Sequence, residues 1–227
     1  MIDVCILCGG LGTRFQQVSQ TTPKILAKLG KQRLIDLILK KLEKHNLHRV
    51  ILATGHLSNQ VKNYVEKCKN FEIIISEEEK QSGTGGALKI ANQYLKSEVT
   101  LVLNGDTIID FDIENMLILH KAKKADCSIL TTSMPNASEY GTIIVNKDNR
   151  IINFEEKNSS AKSNKVNAGV YLINKNIVEY LKVPSSLEND LFPLIAKKKN
   201  LFAINTSKRF DDIGTFERYN FATDCYK

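Results

Sequence analysis

Ile2-Asp3-Val4-Cys5-Ile6-Leu7-Cys8-Gly9-Gly10-Leu11-Gly12-Thr13-Arg14 is the stretch whose reading decides the fold. Residues 2–8 form an apolar run with too little polar alternation for a half-solvated strand. Such a run suits a strand buried on both faces, the usual setting in a parallel sheet. The glycines then stop it. Glycine adopts positive φ without penalty and lets backbone N–H groups come close to an oxyanion. A glycine turn directly after a buried strand also lies where open α/β sheets bind their ligands, outside the carboxyl ends of the strands. Arg14 adds a guanidinium that can meet phosphate in a fork. The loop is neither G-x-x-x-x-G-K-[ST] nor G-x-G-x-x-G, so the common mononucleotide and dinucleotide fingerprints do not apply.

Working outward, the same rhythm repeats. Leu34, Ile35, Leu37, Ile38, Leu39 and Leu42 recur at helical spacing, with Lys40, Lys41 and Lys44 outside them. Residues 50–53 read as a strand, 59–68 as a helix and 71–75 as a strand. Residues 85–95 read as a helix, 99–103 as an apolar strand, 113–124 as a helix and 126–132 as a strand. Short strands alternating with helices predict an α/β fold, Rossmann-like, whose mostly parallel sheet carries helices on both faces. Beyond residue 135 the pattern changes. Residues 141–145 and 151–155 flank Asn146-Lys147-Asp148-Asn149, a hairpin signal. Residues 166–173 read as a strand, 187–196 as a helix and 215–223 as the last helix. No repeat or linker interrupts the chain. One domain over residues 1–227 is expected, made of halves 1–135 and 136–227.

Composition sets limits. The chain has 42% hydrophobic and 25% charged residues, which argues against disorder and low complexity. No apolar run reaches the length of a membrane span, and no secretory signal is read at the N-terminus. Five scattered cysteines suit reduced thiols and a cytoplasmic setting. Cys5 and Cys8 form a C-x-x-C, but on a strand residues i and i+3 face opposite sides, and no second pair completes a zinc site. His45 and His48 follow a lysine-rich helix and are expected to face solvent. The net charge of +7, from 32 Lys+Arg against 25 Asp+Glu, points to an anionic partner. The lysines are spread over helix faces and the chain has no Trp. That pattern disfavours nucleic acid, for which a basic stripe interleaved with aromatics is expected.

Two further segments carry chemistry. Pro23 fixes the approach of Lys24. Asn104-Gly105-Asp106 closes an apolar strand and so delivers the Asp106 carboxylate to the ligand crevice, although Asn-Gly-Asp is equally good turn chemistry.

With the glycine loop and Pro23-Lys24 in place, the chain resembles the sugar-1-phosphate nucleotidylyltransferases, and six ordered motifs carry the resemblance over nearly its whole length. Gly83-Thr84-Gly85-Gly86-Ala87-Leu88 resembles a second nucleotide loop. Asn104-Gly105-Asp106 matches the metal motif. Tyr140-Gly141, Phe154-Glu155-Glu156-Lys157 and Asn167-Ala168-Gly169-Val170-Tyr171 match the sugar-site segments. Phe210-Asp211-Asp212-Ile213-Gly214-Thr215 resembles the second metal segment. Within the family the likeness is greatest to the D-glycero-D-manno-heptose 1-phosphate guanylyltransferases.

The resemblance implies the nucleotide-diphospho-sugar transferase fold and a reaction between a nucleoside triphosphate, GTP by likeness, and a sugar 1-phosphate. The sugar phosphate attacks the α-phosphorus and pyrophosphate leaves. The nucleophile is already an anion at neutral pH. Catalysis is therefore expected to rest on positioning and charge neutralisation rather than on a general base. Arg14, Lys24 and Asp106 become the catalytic candidates. The nucleotide candidates are Leu7, Gly9, Gly10, Gly12, Thr13, Arg14, Lys24, Glu79, Gly83, Thr84 and Asp106. Gly141, Glu156, Lys157, Asn167 and Glu188 become candidates for the sugar phosphate, with a helix-capping role as the alternative for Glu188. Asp106 and Asp212 would hold Mg²⁺, with a helix N-terminal acid as the alternative for Asp212. The resemblance implies no nucleic-acid or membrane partner; a homodimer is compatible with the apolar Phe221 and Tyr226, which are expected to be exposed. Gln81-Ser82 stands where the family usually has Pro-Leu, and Ile25 and Gln32 stand where Pro is common. These departures bear on base and sugar choice and leave the charged candidates in place. UTP, CTP or dTTP as donor, other sugar 1-phosphates, and a non-catalytic sensing module are the alternatives.

Overall fold

A computed structural model of the protein describes residues 2–10, 21–135, 137–155 and 163–227. The first half contains β1 (Ile2–Leu7), a small hairpin of β2 (Lys28–Leu29) and β3 (Gln32–Arg33), α1 (Leu34–Leu42) and β4 (Leu47–Thr54). It continues through α2 (Ser58–Val65), β5 (Ile73–Glu77), α3 (Gly83–Ala91), β6 (Val99–Asn104), β7 (Thr107–Ile109), α4 (Ile113–Ala122) and β8 (Cys127–Ser133). The second half adds β9 (Thr142–Val145), β10 (Ile151–Glu155), β11 (Lys165–Asn174), α5 (Lys175–Val178), α6 (Phe192–Lys197), β12 (Leu201–Asn205), β13 (Phe210–Asp212) and α7 (Phe216–Cys225).

The fold is the expected α/β class, with a central, mostly parallel sheet. β5, β4, β1 and β6 pair in parallel, and β12 runs parallel to β8. The long β11 is antiparallel to β6, β8 and β9, and β9–β10 forms the expected hairpin. The second half thus extends the same sheet instead of building its own. On β1, Val4 and Ile6 pack into the core on one face while Cys5 enters the core on the other, so both faces are covered. The first core takes in Leu34, Ile38 and Leu42 of α1; the second takes in Leu88 of α3, Tyr171 and Phe192. Cys5 lies in the second core and Cys8 packs against the first, which separates the two thiols across the sheet. Burial pushes the Cys5 thiol up to about 12, and it raises Cys8 as well.

Several expectations shift. His45 is not solvent-facing: it stacks on Phe111 at 6.3 Å and meets Glu114 at 3.1 Å. The helix expected over residues 187–196 starts as a π-helical turn, Leu187–Leu191, before α6. β12 and β13, Leu201–Asn205 and Phe210–Asp212, go beyond the sequence expectation; both are short. Phe221 is 65% exposed, but Tyr226 is half-buried, and its hydroxyl donates to Asp211 at 3.1 Å. Among the described residues no helix is long and apolar enough to cross a membrane.

Candidate active site

The site lies at the carboxyl ends of β1, β4 and β6. Gly9 and Gly10 leave β1 there. The Gly105 N–H donates to the Leu7 carbonyl at 2.9 Å, which ties the turn after β6 to the end of β1. A Cβ on Gly105 would sit 2.7 Å from that carbonyl, so this close approach requires glycine. Asp106 occupies the turn between β6 and β7.

Lys24 reaches the same point from a separate segment. Pro23 leads into a 3₁₀ turn, Lys24–Leu26, anchored by the buried Ile25 and Leu26. The Lys24 ammonium donates to Asp106 Oδ2 at 2.7 Å, with the two side chains 18% and 35% exposed.

Asp212 arrives through β13. Its partner across the antiparallel pair with β7 is Thr107, and the Ile213 N–H donates to the Asp106 carbonyl at 3.0 Å. Burial, and then the neighbouring Asp106 carboxylate, raise the Asp212 carboxyl above the ordinary carboxylate range. Adjacent residues of a strand face opposite ways. Asp211 accordingly lies on the other side, held by Arg209 at 2.8–3.0 Å and by Tyr226. Of the two acids, only Asp212 shares the crevice with Asp106.

Gly9 is packed closely: a Cβ there would lie 2.7 Å from Glu78 Oε1. The same oxygen would be 2.8 Å from a Cβ on Gly55, which follows β4. Glu78 Oε2 accepts from the Ser82 N–H at 3.0 Å and from the Ser82 hydroxyl. Among the described residues nothing donates to Oε1. Glu79, the sequence candidate, is exposed; its neighbour Glu78 is the carboxylate in the crevice. Sequence reasoning missed this register because β5 runs to Glu77, two residues beyond its apolar part.

The second glycine loop behaves differently. Gly83 has φ +73°, and a Cβ there would lie 2.4 Å from the Ser185 carbonyl. That carbonyl accepts from the N–H groups of Gly85 and Gly86 at 2.9 and 3.1 Å. Thr84 donates to Glu188 at 2.6 Å and accepts from the Leu187 N–H at 2.9 Å. Ser186 caps the π-helical turn, and its hydroxyl also donates to Glu188 at 2.9 Å. Thr84 and Glu188 therefore meet each other, joining the start of α3 to the second half of the chain.

Of the sugar-side candidates, Gly141 and Asn167 are brought together at β11. The Asn167 N–H donates to the Gly141 carbonyl at 2.9 Å, and its amide donates to the buried Tyr171 hydroxyl at 2.9 Å. A bulge interrupts the pairing of β11 with β8 between Asn167 and Tyr171, with Gly169 at φ +71°. A Cβ on Gly169 would touch Asn104 and Thr107, so the bulge presses this segment against the Asp106 turn. Leu11, Gly12, Thr13, Arg14, Glu156 and Lys157 lie outside the described residues.

The fold and its crevice define a nucleotide-handling α/β protein: a glycine turn, a lysine and two facing acids gather where such sheets bind ligands. The chain matches the Nucleotidyl transferase family over residues 4–226 and belongs to it. It is 34% identical over 215 residues to the mannose-1-phosphate guanylyltransferase catalytic subunit beta of Drosophila pseudoobscura pseudoobscura, covering 92% of this chain and 58% of that protein. The chain thus spans less than two thirds of that relative's length. It is 32% identical over 221 residues to the D-glycero-alpha-D-manno-heptose 1-phosphate guanylyltransferase of Aneurinibacillus thermoaerophilus, covering 96% and 95%. The crystal structure of HddC from Yersinia pseudotuberculosis complexed with GMP-PN superposes with a TM-score of 0.86 at 28% identity, covering all of both chains.

Proposed function

We propose that the protein is a sugar-1-phosphate guanylyltransferase that joins GMP, taken from GTP, to a sugar 1-phosphate and releases pyrophosphate. The observation that carries this reading is the cluster of Lys24, Asp106 and Asp212 beside the glycine turn. Two facing acids with a lysine suit a reaction whose obstacle is repulsion between polyanions. A phosphate oxygen of the sugar 1-phosphate forms the new bond to the α-phosphorus, and the bond from that phosphorus to the β-phosphate oxygen breaks. No proton need be removed from the nucleophile. Lys24 holds the α-phosphate, the backbone at Gly9 and Gly10 admits the nucleotide, and Arg14 steadies the triphosphate. Gly141, Asn167, Glu156 and Lys157 hold the sugar phosphate.

The donor set fits Mg²⁺. Asp106 and Asp212 are oxygen ligands, and a site with two carboxylates leaves positions for phosphate oxygens and water, the arrangement this ion prefers. Asp212 Oδ1 accepts from the Gly214 N–H and pairs with the Arg218 guanidinium at 3.3 Å, while among the described residues nothing donates to Oδ2. A bound Mg²⁺ would neutralise phosphate charge.

Glu78 supports guanine. A carboxylate only accepts hydrogen bonds. Guanine offers two adjacent donors, N1–H and the N2 amine, whereas uracil and thymine flank one N–H with carbonyls that a carboxylate repels. For the sugar, we propose D-glycero-D-manno-heptose 1-phosphate, supported by the end-to-end match with the Aneurinibacillus protein. Mannose 1-phosphate is the second reading, favoured by the likeness to the Drosophila protein.

The test is pyrophosphate release with Mg²⁺ across four nucleoside triphosphates and a set of sugar 1-phosphates. Release with GTP and a manno-configured sugar is expected, and release in no pairing refutes the proposal. Glu78→Gln should shrink the preference for GTP over UTP about tenfold or more, consistent with about 1–3 kcal/mol for a good base contact. An unchanged preference removes Glu78 as the base reader.

A further inference from the structure

Arg218 lies in the first turn of α7, where Thr215 caps the helix and accepts from the Arg218 N–H at 3.3 Å. Its side chain is only 18% exposed and makes three contacts. One nitrogen reaches Asp212 Oδ1 at 3.3 Å, another donates to Glu139, and the guanidinium plane lies 4.4 Å from the centre of the Tyr140 ring. Tyr140 precedes Gly141, whose carbonyl holds Asn167. The guanidinium therefore joins the acid of the second metal segment to the turn that begins the sugar side.

We propose that Arg218 is a positioning residue that sets the Asp212 carboxylate for the cation and the Glu139–Gly141 turn for the sugar phosphate. This inference rests on the proposed function. Arg218 and the Gly214 N–H both engage Oδ1, so Oδ2 is the oxygen turned over to a cation. Partners of this kind hold a ligating carboxylate in one orientation, and their loss commonly weakens metal binding 10–100-fold. Only a planar fork can hold two carboxylates at its edge and a ring on its face; a lysine ammonium cannot do all three. Metal affinity and sugar-phosphate affinity are thereby coupled through one side chain.

The experiment titrates Mn²⁺ into the full chain by electron paramagnetic resonance and, separately, measures KM for both substrates. Arg218→Ala should weaken Mn²⁺ binding about tenfold or more and, with both KM values measured at saturating Mg²⁺, raise KM for the sugar 1-phosphate by a similar factor while changing KM for the nucleotide less than twofold. Arg218→Lys should recover part of the metal affinity and little of the sugar-phosphate KM. Should Arg218→Ala not fold, Glu139→Gln is decisive: it leaves Asp212 untouched and should still raise the sugar-phosphate KM severalfold. Mn²⁺ binding and both KM values at wild-type levels in the variants overturn the proposal, as does an equal rise in both KM values. A wild-type protein that binds Mn²⁺ yet releases pyrophosphate in no pairing refutes the guanylyl-transfer reading instead; the Mn²⁺ titration of the variants still decides the role of Arg218.

Discussion

Gly10 of the first glycine turn and the glycines of the second are used in opposite ways. Among the described residues, a Cβ at Gly10 would meet nothing within 4 Å. At Gly83, Gly85 and Gly86 it would meet Ser185 or Ser82 within 2.4–2.8 Å. Gly10 keeps its backbone exposed at the end of β1, where a ligand can approach, while Gly9 beside it is closed in by Glu78. The second turn spends its glycines on the chain itself, drawing residues 182–186 onto the start of α3 and so clamping the second half to the first. Glycine in a motif thus marks close approach, and only the neighbours say whether a ligand or another segment approaches.

The sharpest way to break this comparison is to remove the charge that the first turn faces. Asp106→Asn keeps the shape but loses the carboxylate beside Lys24. Turnover in the pyrophosphate assay should fall about 10²–10³-fold, with Tm within a few degrees of wild type. Near-normal turnover would show that the open turn does not face a reacting centre. A paired substitution sharpens the contrast further. Gly83→Ala forces a side chain into positive φ against a backbone carbonyl and should cost about 2–3 kcal/mol, lowering Tm by roughly 5–10 °C. Gly10→Ala should leave stability within about 0.5 kcal/mol and raise KM for the nucleotide severalfold. Equal stability losses in the two variants would erase the distinction between the turns.

The smallest expected effect lies far from both turns and calibrates the body of the fold. His120 is buried between Ser128 at 2.8 Å and Asn174 at 2.9 Å. Burial holds its pKa below the ordinary imidazole value of 6.5. The unfolded chain therefore takes up a proton first as pH falls, and stability declines from that value down to the folded-state pKa. One proton gives at most about 1.4 kcal/mol per pH unit. The Tm of wild type should fall more steeply between pH 7 and 5 than that of His120→Gln. Parallel slopes would assign the acid sensitivity to other groups.

The fold class was legible because the deciding signals are local. β1 is apolar without alternation, α1 repeats at helical spacing, and Asn146–Asn149 marks a hairpin. The register of short strands was not. β13 pairs with β7 through contacts more than a hundred residues away in sequence, and no local pattern in Phe210–Asp212 announces it. The same limit explains the Glu79 assignment, since a strand two residues longer than its apolar core turns Glu78 into the crevice. Arg218 gave no signal either, because an arginine in a first helical turn is ordinary until its partners are known.

By itself, the sequence determined the α/β class, one sheet shared by both halves, and the chemical types gathered at its edge: glycines, Lys24 and Asp106. The fold class follows from burial periodicity and turn chemistry, which act between near neighbours, and the gathering of Lys24 and Asp106 is what the family resemblance implies. Only the tertiary structure decided that Glu78 rather than Glu79 lies against Gly9, and that Arg218 bridges Asp212 to Glu139. Each depends on which face of an element meets a distant segment. Long-range packing sets that geometry, and it is absent from any local stretch of the chain.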